Sequence, residues 1–462
     1  MAERVIRGSI NFFATIPIGT DIPTEARNCV HDVLTAALRA ADPVDAIRAH
    51  VSWHGNALRV NNTEYALPPG RKVCVFGTGK ASAVMAATLE EIIGERIATG
   101  WVNTKYGHAV STRRVTVHEA GHPLPDERGL IGTRRMLELL RQTSQEDLIL
   151  CPISGGGSAL WTLPVEGVSL ADIATLTDAL LRSGATINEF NAVRKHLSQV
   201  QGGQFVKVAH PRPVVSLILS DVVGSPLDVI ASGPTVPDPT TFADAWAVLE
   251  KYQLLGRIPL SVEKHLQRGL TGEVPETPKP SDPVFAHTQN VVIADVAMAA
   301  EAAASRARGL GFHTLLLTTR LGGEAREVGY FLAGIARTIH ERGEPSPRPA
   351  CVVAGGETTV TVRGSGLGGR NQELALAAAL GIEGLPNTLI VAWASDGGDG
   401  PTVATGAIVD GGTVSRARSR GLVPERYLQN NDSHSFFRDL GELWVTGPTR
   451  TNVNDLTLIF AF

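Results

Sequence analysis

One pattern recurs along this 462-residue chain. A short run of β-branched and aliphatic residues ends in a turn of glycine, serine or aspartate, and a helical stretch follows. Arg71 to Phe76 runs into Gly77-Thr78-Gly79-Lys80 and then a helical segment to Ile93. Asp147 to Ile153 ends in Ser154-Gly155-Gly156-Gly157-Ser158, Val214 to Leu219 ends in Ser220-Asp221, and Thr388 to Ala394 ends in the segment Ser395 to Gly400. Asn290 to Thr318 reads as a βαβ unit. Strands alternating with helices in this way predict an α/β fold with largely parallel sheets. Sheets of that kind bind ligands beyond the carboxyl ends of their strands, where all of these turns lie.

The most suggestive stretch is Gly355 to Leu376, GGETTVTVRGSGLGGRNQELAL. The alternation from Thr358 to Val362 predicts a strand, Gly364 to Gly369 a loop, and Arg370 the start of a helix. A strand, a glycine loop and a helix N-terminus would turn backbone N–H groups and the positive end of a dipole toward one anion. Gly368 and Gly369 would approach it closely, and Arg370 could clamp it bidentately. Gly364, Gly366 and Gly369 also match G-x-G-x-x-G, so a nicotinamide dinucleotide is the competing occupant.

Lys80 at a helix N-terminus is unfavourable unless an anion sits between the ammonium and the dipole; the plain alternative is a solvated turn lysine. The surrounding sequence is no P-loop, since position 74 is Cys and Ala81 follows the lysine. Gly77 and Gly79 of that turn are candidate phosphate contacts. The triple glycine, flanked by Ser154 and Ser158, is a second loop suited to phosphate or carboxylate oxygens. Asp221 could hold Mg²⁺, take a proton or simply cap a turn, and Asp396 with Asp399 offers a further tentative metal pair. His122 before Pro123 is either structural or a substrate contact. Asn191, Arg194, Lys195 and His196 form a basic patch that, taken alone, reads as a solvated helix face; together with the glycine loops, Asn191 and Arg194 become candidate substrate or phosphate contacts.

Composition narrows the class. A net charge of −4, 43% hydrophobic content and no basic run argue against nucleic acid as partner. No stretch reaches the 18 or so apolar residues of a membrane span, and the N-terminus lacks a signal-peptide pattern, so a cytoplasmic protein is expected. The four cysteines are scattered and read as reduced core residues. Residues 1 to about 68 read mainly as helix, with Pro23 opening one segment. The proline-rich segment Thr271 to Pro283 reads as a linker, which divides the chain into domains of residues 1–285 and 286–462.

GTGKAS at 77 to 82, SGGGSAL at 154 to 160, NAVRKHLS at 191 to 198, SDVVGSPLDVIASGPTVPD at 220 to 238, the 355 to 376 stretch, ASDGGDGPT at 394 to 402 and TNVNDL at 451 to 456 resemble the glycerate 2-kinases with a MOFRL C-terminal domain. The resemblance covers nearly the whole chain. It implies a larger Rossmann-like three-layer domain with a mostly parallel sheet, a smaller α/β domain and an active site in the cleft between them. It also implies ATP- and Mg²⁺-dependent phosphorylation of D-glycerate to 2-phosphoglycerate by a monomer or homodimer, with Lys80, Asp221 and Arg370 matching the family's active-site positions. Gln201 and Trp161 stand where the family usually has Lys and Leu. The alternatives are an NAD(P)H-dependent hydroxypyruvate reductase, a label members of this family have often carried, and a non-catalytic anion-binding protein.

Overall fold

A computed structural model describes residues 24–462, so Pro23 and the N-terminal segment read for a signal peptide lie outside the described residues. The chain folds into two compact units, one of residues 43–293 and one that joins residues 24–42 to 294–462. This differs from the division at 285/286. The segment Thr288–Ala294 completes the sheet of the first unit, and the first described helix belongs with the second.

The first unit opens with a three-stranded antiparallel meander, β1 (Val51–His54), β2 (Ala57–Val60) and β3 (Thr63–Ala66), where helix was expected. Val51, Leu58 and Val60 are buried, which is the period-2 pattern of a strand in segments too short to stand out in sequence. The main sheet follows: β4 (Val73–Thr78), β5 (Ile97–Lys105), β6 (Val115–Ala120), β7 (Leu148–Ile153), β8 (Val214–Leu219) and β9 (Thr288–Ala294), in the order β6-β5-β4-β7-β8-β9. The β6–β5, β5–β4, β4–β7 and β7–β8 pairs are parallel. β4, β7 and β8 are buried at every residue, as their unbroken apolar runs demand of strands covered on both faces. From β4 the chain builds outward through β5 and β6 and then returns to β4's other side with β7. The topological switch point therefore falls between β4 and β7. Segment 271–283 is not a free linker, because Glu276 accepts from the Phe242 N–H (2.9 Å) and Thr277 donates to Asp238 (2.9 Å).

The second unit holds β10 (His313–Leu321), β11 (Ala350–Gly356), β12 (Thr388–Ala394), β13 (Gly406–Asp410) and β14 (Asp455–Ala461), in the order β10-β11-β14-β12-β13. Only β10–β11 is parallel; the sheet is mixed rather than largely parallel because the last strand inserts antiparallel between β11 and β12. Thr358 to Val362, expected as a strand, contributes only an isolated bridge at Thr359. The helix Arg370–Gly381 is buried along Asn371 to Ala379 and lies against Ala325–Arg342. A Cβ on Gly329 would strike the Leu374 carbonyl, so that helix pair depends on a glycine for its close approach. The helix Thr24–Ala41 packs on Val296–Gly309, whose buried face is five alanines and a valine.

Candidate active site

In the first unit, β4 and β7 end in register, Thr78 opposite Ile153, and the loops that follow them lock together. Ser154 N–H donates to the Thr78 carbonyl (2.9 Å), Lys80 N–H to the Gly155 carbonyl (2.9 Å), and Ala81 N–H to Ser154 Oγ (2.9 Å). Ser154 is thus fully buried and its hydroxyl serves the N-terminal end of the helix Ser82–Ile93 rather than standing open to a ligand. A Cβ on Gly77 would collide with Pro152, and one on Gly79 with Ser154, so both glycines set the spacing of the strands and loops.

Each residue of the triple glycine makes room for a different neighbour. A Cβ on Gly155 would run into the Asp221 carboxylate at the end of β8. On Gly156, which has φ of +84°, it would come within 2.8 Å of the His122 ring, and on Gly157 within 2.7 Å of Ala231. The turns after β4, β6 and β8 therefore bring Lys80, His122 and Asp221 around the glycine loop that follows β7. The charge on Lys80 reaches His122. Burial first, then Lys80, Lys105 and His108, push its imidazole down to about 4, so the ring is neutral near pH 7.

The predicted basic patch is largely internal. Asn191, Lys195 and His196 are buried. Lys195 lies 3.4 Å from both Asp228 and Asp238, and His196 bonds the Ala192 carbonyl (2.7 Å) and Glu276 (3.1 Å), which ties the helix Ile187–His196 to its surroundings. Arg194 differs. Its Nη1 donates to Ser232 Oγ (3.3 Å) and its guanidinium stacks 4.1 Å from the Phe190 ring centroid, with no acid paired to it among the described residues. Burial lowers its pKa to about 10. Ser232 also donates to Asn191 Oδ1 (3.1 Å) and bonds Ser158 Oγ (2.8 Å). It sits in a run of left-handed residues, Ala231, Ser232 and Gly233 at φ of 49°, 59° and 62°, a conformation that stores backbone strain at its two non-glycine members.

A cavity of about 230 Å³ opens beside this group, with His122, Gly156, Ser158, Arg194, Ser198 and Gln201 on its polar wall. His122 Nδ1, Asn191 Nδ2 and Gln201 Oε1 are buried without a hydrogen-bond partner in the protein.

In the second unit the stretch around Arg370 is arranged otherwise than expected. The N–H groups of Arg363 and Gly364 donate to Asn431 Oδ1 (2.7 and 3.0 Å), those of Ser365 and Gly366 to Asn430 (3.1 and 3.0 Å), and that of Leu367 to Asp432 (2.9 Å). The helix N-terminus already holds an anion. Asp399 accepts from the Asn371 and Gln372 N–H groups (3.0 and 2.8 Å) and from both their side-chain amides (3.3 and 2.9 Å). A Cβ on Gly369 would collide with that carboxylate, and one on Gly368 with Ser433. Arg370 is held by Asp455 (2.5 and 3.0 Å) and Glu357 (2.8 Å). Burial works to lower its pKa, but the bond to Asp455 and the charges of Asp455 and Glu357 raise it overall.

Among the described residues no three acidic, histidine or cysteine side chains gather into a metal cage. A magnesium ion carried on phosphates keeps several waters and needs only one or two protein carboxylates. Asp221 stands at the end of β8 with its carboxylate against Gly155. Asp399, with four N–H groups on its two oxygens, does not fit that role, and Asp396 accepts from the Gly398 N–H (3.0 Å) within its own turn.

Residues 29–267 match the family described as a domain of unknown function, DUF4147, and residues 350–455 match the MOFRL family. A glycerate 2-kinase of Pyrococcus horikoshii is 45% identical over 423 residues, covering 91% of this chain and 94% of that protein. The chain belongs to the glycerate 2-kinase family. A crystal structure of glycerate kinase from Thermotoga maritima superposes on this member of the family with a TM-score of 0.85 at 41% identity, over 95% of this chain and 100% of the other. An Agrobacterium vitis relative, 40% identical over 94% of each chain, carries a provisional hydroxypyruvate reductase name. As a glycerate 2-kinase family member the chain is a kinase. Ser232, Asp455 and Glu357 were not singled out as site residues by sequence, although all three lie inside the motifs that carry the family resemblance.

Proposed function

We propose that this kinase transfers the γ-phosphoryl group of ATP to O2 of D-glycerate, giving 2-phosphoglycerate. The observation that carries the reading is the interlock at the switch point: Lys80, the triple glycine and Asp221 come from three adjacent parallel strands and meet at one loop. Phosphoryl transfer asks chiefly for positioning and for charge placed on the reacting oxygens. In this reading Asp221 orients the acceptor hydroxyl and takes its proton, or holds the magnesium ion, which when bound neutralises phosphate charge. Lys80 supplies a fixed cation, and Gly155 and Gly156 let the backbone approach the reacting group. The role of Arg370 requires its guanidinium to exchange Asp455 and Glu357 for phosphoryl oxygens, since both carboxylates hold it here.

The dinucleotide reading of Gly364 to Gly369 loses its physical basis, because Asp399 fills the helix N-terminus on which a pyrophosphate would rest. The test is D-glycerate with Mg-ATP, its product passed directly to enolase with no mutase added. Enolase dehydrates 2-phosphoglycerate only, so immediate signal is the expected result. Silence from enolase together with NADH oxidation by hydroxypyruvate would replace the kinase reading by the reductase one.

A further inference from the structure

Arg194 is a charge with an incomplete environment. It is partly exposed on the cavity wall, and a guanidinium with that much of its hydration lost is costly unless a counter-ion meets it; its described partners are a neutral hydroxyl and an aromatic face. The Phe190 ring centroid lies 4.1 Å from the guanidinium carbon and Ser232 takes one N–H of Nη1, which leaves further donors of the fork for a carboxylate. Two further groups on the same cavity wall are unsatisfied. Gln201 directs Nε2 to the carbonyls of Ser158 (2.9 Å) and Trp161 (3.3 Å), which fixes its amide orientation and leaves Oε1 as a buried acceptor with nothing donating to it. His122 Nδ1 is likewise unpartnered. An orphaned acceptor needs a donor. A fully ionised phosphoryl group such as the terminal one of ATP has none to give, whereas a hydroxyl can donate and accept at once. The cavity, about 230 Å³ with Leu124, Leu163 and Ile173 on its apolar side, suits a molecule of a few carbons and is small for an adenine nucleotide.

We propose that this cavity seats the hydroxy acid, its carboxylate on Arg194 and a hydroxyl against Gln201 Oε1, with the reacting hydroxyl turned toward the Gly155–Asp221 contact. The assignment rests on the kinase reading above and deepens it: the carboxylate and the non-reacting hydroxyl are recognised by residues between 122 and 201, and the nucleotide phosphates lie elsewhere. Arg194 is then the residue that distinguishes an acid from its neutral analogues.

The test compares wild type with Arg194→Gln and Arg194→Lys on D-glycerate, glyceramide and ATP. Loss of a charge-assisted pair predicts that Arg194→Gln raises the KM for D-glycerate by on the order of a hundredfold, leaves the KM for ATP unchanged and abolishes the preference for acid over amide. Arg194→Lys keeps the charge without the fork and should fall between. A raised KM for ATP with an unchanged KM for D-glycerate would overturn the assignment in favour of a nucleotide phosphate site, and no change in either would remove Arg194 from recognition. Thermal stabilisation by D-glycerate alone separates the two levels of inference. If wild type has no kinase activity but is stabilised by D-glycerate in a manner lost in both variants, the subsite stands and the reaction falls. If wild type phosphorylates D-glycerate and both variants retain full stabilisation, the subsite falls and the reaction stands. Should Arg194→Gln fail to fold, the Arg194→Lys kinetics decide.

Discussion

His122 illustrates how far one side chain's chemistry is set by its neighbours. With its ring against Gly156 and Lys80 nearby, the imidazole is held neutral down to about pH 4. An unfolded histidine protonates near 6.5. Between those values the unfolded chain binds a proton that the folded chain refuses, so stability falls as the pH drops from about 6.5 to about 4, at no more than about 1.4 kcal/mol per pH unit from this group. Above 6.5 the contribution is complete, and below 4 the slope ends. Denaturant titrations of wild type and His122→Gln across that range should diverge with this sign; parallel curves would mean the ring is not desolvated as the geometry indicates. The sequence placed His122 beside a proline at the end of a strand, but what makes it informative is a glycine more than thirty residues later. Gly155 and Asp221 are a similar case, since both types were legible as strand-end residues while their contact depends on β7 and β8 being neighbours.

At the level of elements, the helix Arg370–Gly381 was legible from its glycine loop and helical pattern, and so was the need for an anion at its start. The occupant was not. Asp399 arrives 28 residues after Asn371, through β12, and fills with the protein's own carboxylate the position that a ligand was expected to take. A carboxylate there receives four N–H groups and complements the helix dipole. Asp399→Ala should leave those buried donors unanswered and cost about 2–3 kcal/mol. Thermal or urea unfolding checks this, and a loss below about half a kcal/mol, within the ordinary range for surface substitutions, would show that water replaces the carboxylate without penalty. The same non-local logic explains the mixed sheet. Local pattern identified β10 and β12 and missed β13, and no short window reveals that the last strand inserts between β11 and β12.

Across the whole molecule, the discontinuity of the second unit is the feature with most consequence for handling the protein. Val30, Val33, Leu34 and Ala37 of the helix Thr24–Ala41 are buried, and the alanine face of Val296–Gly309 is what that helix packs against. A fragment of residues 294–462 should therefore be poorly folded alone and recover order when residues 24–42 are fused to it. Circular dichroism and the fluorescence of buried Trp393 and Trp444 would report this; a fragment that is cooperative without the helix would contradict it. The proline-rich segment 271–283 misled the division of the chain because prolines also occur where a loop is pinned, as here by Glu276 and Thr277.

That first helix has a further consequence during synthesis. It leaves the ribosome some 250 residues before the helix Val296–Gly309 that will cover it, which at roughly 5–20 residues per second is a wait of about 13–50 s. The intervening residues form a unit of their own, and all of it except its last strand β9 emerges well before that interval closes. The nascent chain must therefore carry an uncovered apolar stripe on a leash while its neighbour matures, which makes residues 24–41 the part of this enzyme where a holding chaperone has the longest opportunity to act.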